Sequence, residues 1–140
     1  MPNAVLDSTI LVSAFLTKMG VSAELLYQAA GGAFQLSLAE EIIGETQRVL
    51  LEYQRIRKRY RYSDREVRAF CQALRKVFPL ITELPHLESV SRDPHDDPVI
   101  ACAIKAGAQY LVTRDKDLLS MRKYKTVKMT SPEEFMALLR

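Results

Sequence analysis

The sequence predicts an α/β fold built on a mostly parallel sheet, and three observations point there. Short apolar runs alternate with longer segments of helical periodicity along the whole chain. Glycines and capping signatures separate those segments. The length of 140 residues, with 48% hydrophobic and 26% charged, fits one globular domain spanning residues 1–140. That composition excludes disordered, collagen-like and low-complexity chains.

Ala4-Val5-Leu6 is a short apolar run ending at Asp7 and reads as a buried strand. Ser8 to Thr17 carries apolar residues at helical spacing, with Ser8 and Thr9 near the helix start. Lys18-Met19-Gly20 breaks the pattern, which resumes from Val21 to Ala30 and stops at Gly31-Gly32. Phe34 to Leu38 alternates with period two and predicts the second strand. Ala39 to about Gln54 is a longer helix with Ile42, Ile43, Val49, Leu50 and Tyr53 as its apolar positions.

Ser63-Asp64-Arg65-Glu66 matches a capping box, and the helix it opens runs to about Val77. Val67, Phe70, Cys71, Leu74 and Val77 form its apolar face. Leu80-Ile81-Thr82 reads as a short strand. The polar turn Asp93 to Asp97 leads into a helix from Val99 to Ala106, with Pro98 in the first turn and Asp96 or Asp97 as cap. Gly107 ends it. Tyr110 to Thr113 is a strand, Asp115 to Leu119 a turn or short helix, and Thr126 to Met129 the last strand. A second capping box, Ser131-Pro132-Glu133-Glu134, opens the final helix to Leu139.

The formal net charge of +3 names no partner by itself. Cys71 and Cys102 lie in helical patterns, where free cysteine acts as a small hydrophobe. The N-terminus has no basic leader, and Asp7 interrupts the apolar stretch. No apolar run approaches the ~18 residues of a membrane span. The expected setting is therefore a reduced cytoplasm, with no membrane partner.

In open parallel sheets, ligands bind beyond the carboxyl ends of the strands. Four acids fall at that edge by the element order: Asp7, Glu45, Asp97 and Asp115, with Asp117 close behind. Carboxylates brought together repel unless a cation neutralises them, and oxygen-only ligands suit Mg²⁺ or Mn²⁺. An Asp closing an apolar strand has poor strand propensity, so Asp7 carries most weight. Capping, turn formation or solvent exposure would each account for one acid, but their common edge is what points to a site. His95, among the acids of the polar turn, is not needed by a hard-cation site. Lys105, Arg114 and Lys116 are read as lying near the same edge; Arg114 suits phosphate contact or pairing with its neighbour Asp115, and the surface reading is preferred.

Those residues resemble PIN domains. The resemblance is carried by Asp7-Ser8-Thr9 after Ala4-Val5-Leu6, by Glu45 in Glu41-Ile42-Ile43-Gly44-Glu45, by Asp97-Pro98-Val99-Ile100-Ala101, and by Val112 to Leu118. It runs in order from Ala4 to Leu139. Ser91 to Asp97 and Thr130 to Phe135 are similar to the toxin components of prokaryotic toxin–antitoxin pairs, the VapC-like ribonucleases. The resemblance implies a three-layer α/β/α domain with a mostly parallel sheet of four or five strands. It implies that Asp7, Glu45, Asp97 and Asp115 are catalytic and metal-binding acids, that Asp117 completes the site, and that Ser8, Thr9 and Thr113 support it. The family often has Asn where Thr9 stands, and a hydroxyl there can still hydrogen-bond the first carboxylate. Pro98 is a second departure, compatible with a helix first turn.

The expected activity is metal-dependent hydrolysis of RNA, with an antitoxin partner and a homodimer implied by the family. The alternative is an inert module of the same fold that binds RNA or protein. A haloacid-dehalogenase-like phosphatase would need an Asp at the Thr9 position. For substrate, Arg55, Arg57, Lys58, Arg59 and Arg61 crowd one short stretch beside Tyr60 and Tyr62. Without those five cations the net charge changes sign. Such a run suits contact with single-stranded RNA, and equally a solvated helix end.

Overall fold

The apolar run at the N-terminus forms β1 (Asn3–Leu6), and Ala4, Val5 and Leu6 are fully buried in the computed structural model. The structure describes residues 1–87 and 97–140. After β1 come α1 (Ser8–Leu16), α2 (Val21–Ala30), β2 (Gln35–Leu36), α3 (Glu40–Glu52), α4 (Gln54–Arg59) and α5 (Asp64–Val77). Then follow α6 (Asp97–Ala106), β3 (Tyr110–Val112), α7 (Lys116–Met121), β4 (Lys123–Tyr124), β5 (Val127–Thr130) and α8 (Pro132–Leu138). The sheet order is β2-β1-β3-β5-β4. All neighbours are parallel except the β4–β5 pair, so the fold is a three-layer α/β/α domain with five strands.

Burial explains why these segments hold. Helix α3 turns Ile42, Ile43, Thr46 and Leu50 inward, and the Thr46 hydroxyl is satisfied by donating to Ile42 O at 2.9 Å. Both predicted capping boxes form: Ser63 and Ser131 each accept from the backbone three residues on, and Glu66 and Glu134 answer in return. Cys71 and Cys102 are buried free thiols, as expected, and burial pushes the Cys102 thiol up to about 12. Phe34 and Phe135 meet edge to face at 4.9 Å, which joins the chain before β2 to α8.

Several details depart from expectation. The second strand keeps only Gln35 and Leu36, because Leu38 turns to pair with Leu80 in an isolated bridge. That bridge is all that forms of the strand read at Leu80 to Thr82. The long helix breaks at Tyr53, whose ψ of 102° is extended, and α4 restarts beyond it. Val77 and Tyr53 are exposed, not part of the buried faces. The hairpin strand β4 was not foreseen.

Candidate metal and catalytic site

Topology sets the edge. The start of β1 lies beside the end of α6, since Asn3 Nδ2 donates to Ala106 O at 3.2 Å. Helix α6 packs on β1 and β3 and leads back to the start of β3, so its first turn lies at the carboxyl edge. Asp7, directly after β1, and Asp115, just after β3, share that edge. Asp97 is the first helical residue there, one position further in than a cap. Lys105, by contrast, stands at the far end of α6, where its ammonium bonds the carbonyls of Thr82 and Glu83. It is not near the site.

Asp7 is the N-cap of α1 and only 4% exposed. Oδ1 accepts from Thr9 Oγ1 at 2.5 Å and from Ile10 N at 3.2 Å. Oδ2 accepts from Thr113 Oγ1. Burial pushes its carboxyl up to about 6, against the lowering pull of the Thr113, Thr9 and Ile10 bonds, and the nearby Asp115 charge adds to the rise. Among the described residues, no cation is among the groups acting on it.

Thr113 joins the two acids. It is fully buried, and while its hydroxyl donates to Asp7 it accepts from Asp115 N at 2.9 Å. Asp115 caps α7 by accepting from Asp117 N at 2.8 Å. Thr9 also closes the loop, accepting from Arg114 N at 3.2 Å. Thr113→Val is therefore expected to destabilise the protein by about 2 kcal/mol, because an isosteric methyl leaves a buried acceptor and a donor unpaired. It should also drive the Asp7 carboxyl higher still, and urea melts with an NMR titration of Asp7 check both effects.

Glu45 sits on α3, half-buried, and pairs with Arg48 one turn on. The Arg48 guanidinium also lies 5.5 Å from the centre of the Tyr53 ring. That partner was missed, although the i,i+3 spacing carries the signal. Arg114 forks onto Glu133 at 3.1 and 2.6 Å, not onto Asp115. Thr130, at the end of β5, has a buried hydroxyl without a hydrogen-bond partner among the described residues. Its signal was a Thr at the end of one strand and another, Thr113, directly after the neighbouring strand. Ser8 opens α1 half-buried, while His95 and Asp96 lie outside the described residues.

The structure thus brings Asp7, Thr9, Thr113 and Asp115 into one hydrogen-bonded cluster, which Asp117 joins through its backbone N–H, and places Asp97 at the same edge. Glu45 is held by Arg48 instead. Among the described residues, no three acid, histidine or cysteine side chains converge enough to hold an ion. In kind, however, the donors fit a hard divalent cation: all are carboxylate oxygens, and Asp7 is buried without a counter-charge among the described residues.

Of the basic run, Arg57 is tied into the fold. It donates to Leu51 O and Tyr62 O, pairs with Asp64 at 2.6 Å and lies 5.1 Å from the centre of the Tyr62 ring. Arg55, Lys58, Arg59 and Arg61 are exposed.

A family model described as PIN domain matches residues 3–117. No curated protein sequence matches the chain. Among solved structures, the chain is similar to a chain of VapBC2 from Rickettsia felis bound to a DNA fragment from their promoter. The two share 12% identity at a TM-score of 0.61, over 92% of this chain and 98% of that one.

Proposed function

Since the chain belongs to the PIN-domain family, we propose that it is a metal-dependent ribonuclease that hydrolyses RNA phosphodiester bonds, an endoribonuclease acting as the toxin of a toxin–antitoxin pair. The observation that carries this reading is Asp7: a buried carboxylate at the carboxyl edge, fixed by two threonine hydroxyls and acted on by no cation among the described residues.

Asp7, Asp97 and Asp115 would hold Mg²⁺ or Mn²⁺, with Asp117 completing the set and Glu45 ligating or orienting water once it leaves Arg48. Such an ion, when bound, acidifies water and offsets charge on phosphate oxygens. Thr9 and Thr113 fix the Asp7 carboxylate by donating to its two oxygens, so its lone pairs keep one direction. Ser8 supports the same turn. The exposed cations Arg55, Lys58, Arg59 and Arg61 would meet RNA phosphates.

The toxin role, the antitoxin partner and a homodimer rest on likeness to VapC-type proteins, and the similar solved structure is of VapBC2 bound to promoter DNA. A cytoplasmic setting belongs with that reading; among the described residues no single helix is long and apolar enough to cross a membrane. The reading takes residues 1–140 as one nuclease domain.

Titration calorimetry with Mn²⁺ separates the nuclease from an inert module of the same fold. Wild type is expected to bind Mn²⁺ and Asp97→Ala to bind it at least about tenfold more weakly. No binding by wild type would favour the inert module.

A further inference from the structure

We infer that the β4–β5 hairpin is an RNA-binding surface outside the candidate active site, one that holds backbone phosphates; the inference rests on RNA being the substrate. The run Arg122-Lys123-Tyr124-Lys125-Thr126-Val127-Lys128 carries four cations and no acid in seven positions. All four cations are exposed, and none forms a salt bridge among the described residues.

These cations stand where the fold would favour other residues. Lys123 on β4 lies directly opposite Lys128 on β5, and like charges facing across an antiparallel pair repel. Arg122 and Lys125 hold φ of 65° and 53°, a left-handed conformation that Gly or Asn adopts at lower cost. Lys125 also opens the two-residue turn between the facing pair Tyr124 and Val127, where Gly, Asn or Asp is the usual choice. Lysine on an edge strand discourages edge pairing, which accounts for Lys123. It does not account for Lys128, because β5 is paired on both sides, to β3 and β4. Cations concentrated against local preference form a surface suited to a polyanion.

Composition selects the occupant. Protein interfaces are depleted in lysine and bury an apolar centre. Here Val127 and Met129 already belong to the core, and Tyr124 is half-buried with the Lys125 ammonium 5.7 Å from its ring centre. The hairpin thus offers bases no exposed ring to stack on. What it offers is a set of point charges, which suits backbone phosphates. The surface is also remote from the acids. Strands β1, β3 and β5 run parallel, so the turn at Lys125 and Thr126 lies at the amino edge, whereas Asp7 lies at the carboxyl edge. Strand rise and strand spacing separate the two by roughly 19 Å. About six stacked nucleotides span that distance, so RNA engaged at the acids meets the hairpin with a flanking stretch of its backbone.

Fluorescence anisotropy in EDTA, with a labelled oligouridine of about 20 nucleotides, tests this without cleavage. Lys123→Gln with Lys128→Gln is expected to weaken binding at least about fivefold and to flatten the slope of log affinity against log salt by about 1.4. Lys128→Glu, which gives Lys123 an opposite charge to face, should weaken binding while raising Tm. Lys125→Gly should do the same. Arg68→Gln with Lys76→Gln, on the exposed side of α5, removes as much charge and should change affinity less than about twofold. Equal loss in that control, wild-type affinity in the hairpin variants, or a lower Tm in both Lys128→Glu and Lys125→Gly would overturn the proposal. If wild type binds RNA through the hairpin yet never cuts with Mn²⁺, the nuclease reading fails and the hairpin stands. If it cuts with Mn²⁺ while the hairpin variants bind as wild type, only the hairpin fails.

Discussion

Asp7→Asn protein, freed of metal, is expected to be more stable than wild type at pH 7 while losing RNA cleavage. Burial penalises the charge of Asp7 and pushes its carboxyl from the ordinary 3.8 up to about 6. Between about pH 4 and pH 6 the native state therefore binds more protons than the unfolded chain, so stability falls as pH rises through that window. Above it the full cost of the buried charge is present, on the order of 3 kcal/mol. Asn removes that cost but loses an acceptor, and Thr113 cannot simply turn its hydroxyl, which already accepts from Asp115 N. The net gain should be about 1–2 kcal/mol, a Tm rise of roughly 4–8 °C, gone at pH 4. Saturating Mn²⁺ should reverse the order, because only wild type gains from binding, by about 2.7 kcal/mol at a hundred times Kd. Melting curves at both pH values, with and without Mn²⁺, check this. A variant less stable at pH 7 would mean that hydrogen bonding, not buried charge, dominates at Asp7.

Phe135→Ala is expected to cost about 3–5 kcal/mol, enough to leave the protein largely unfolded if its stability is ordinary. The ring is fully buried, edge to face with Phe34 and 5.4 Å from Tyr110. Helix α8 lies beyond residue 117, where the family match stops, yet it packs against α2. Urea unfolding measures the effect directly. A loss under about 1 kcal/mol would mean that α8 is not docked on the core.

The sequence made Asp7 legible because an acid ending a buried strand has few explanations, and the structure buries it where β1 ends. The capping boxes at Ser63 and Ser131 were legible because their spacing is local. Other features carry no local signal. Helix α4 buries no residue, so it shows no periodicity. The turns around β4 use Arg122 and Lys125 at positive φ, where Gly or Asn would have announced them. The partners of Lys105 and Arg114 come from segments far along the chain, so neither pairing is visible locally. At the site, the order of elements placed Asp97 and Asp115 at the edge, but the Thr113 bridge depends on the β3 register and the Glu45–Arg48 pair was overlooked at its own spacing.

Digestion of single-stranded RNA by wild type and Asp7→Asn, each with Mn²⁺ and with EDTA, tests the central claim most directly. Wild type should cut with Mn²⁺ and stop in EDTA, and Asp7→Asn should cut at least about 100-fold more slowly, the loss expected for some 3 kcal/mol of transition-state stabilisation. Equal cutting by both proteins, or cutting by wild type that persists in EDTA, would contradict it.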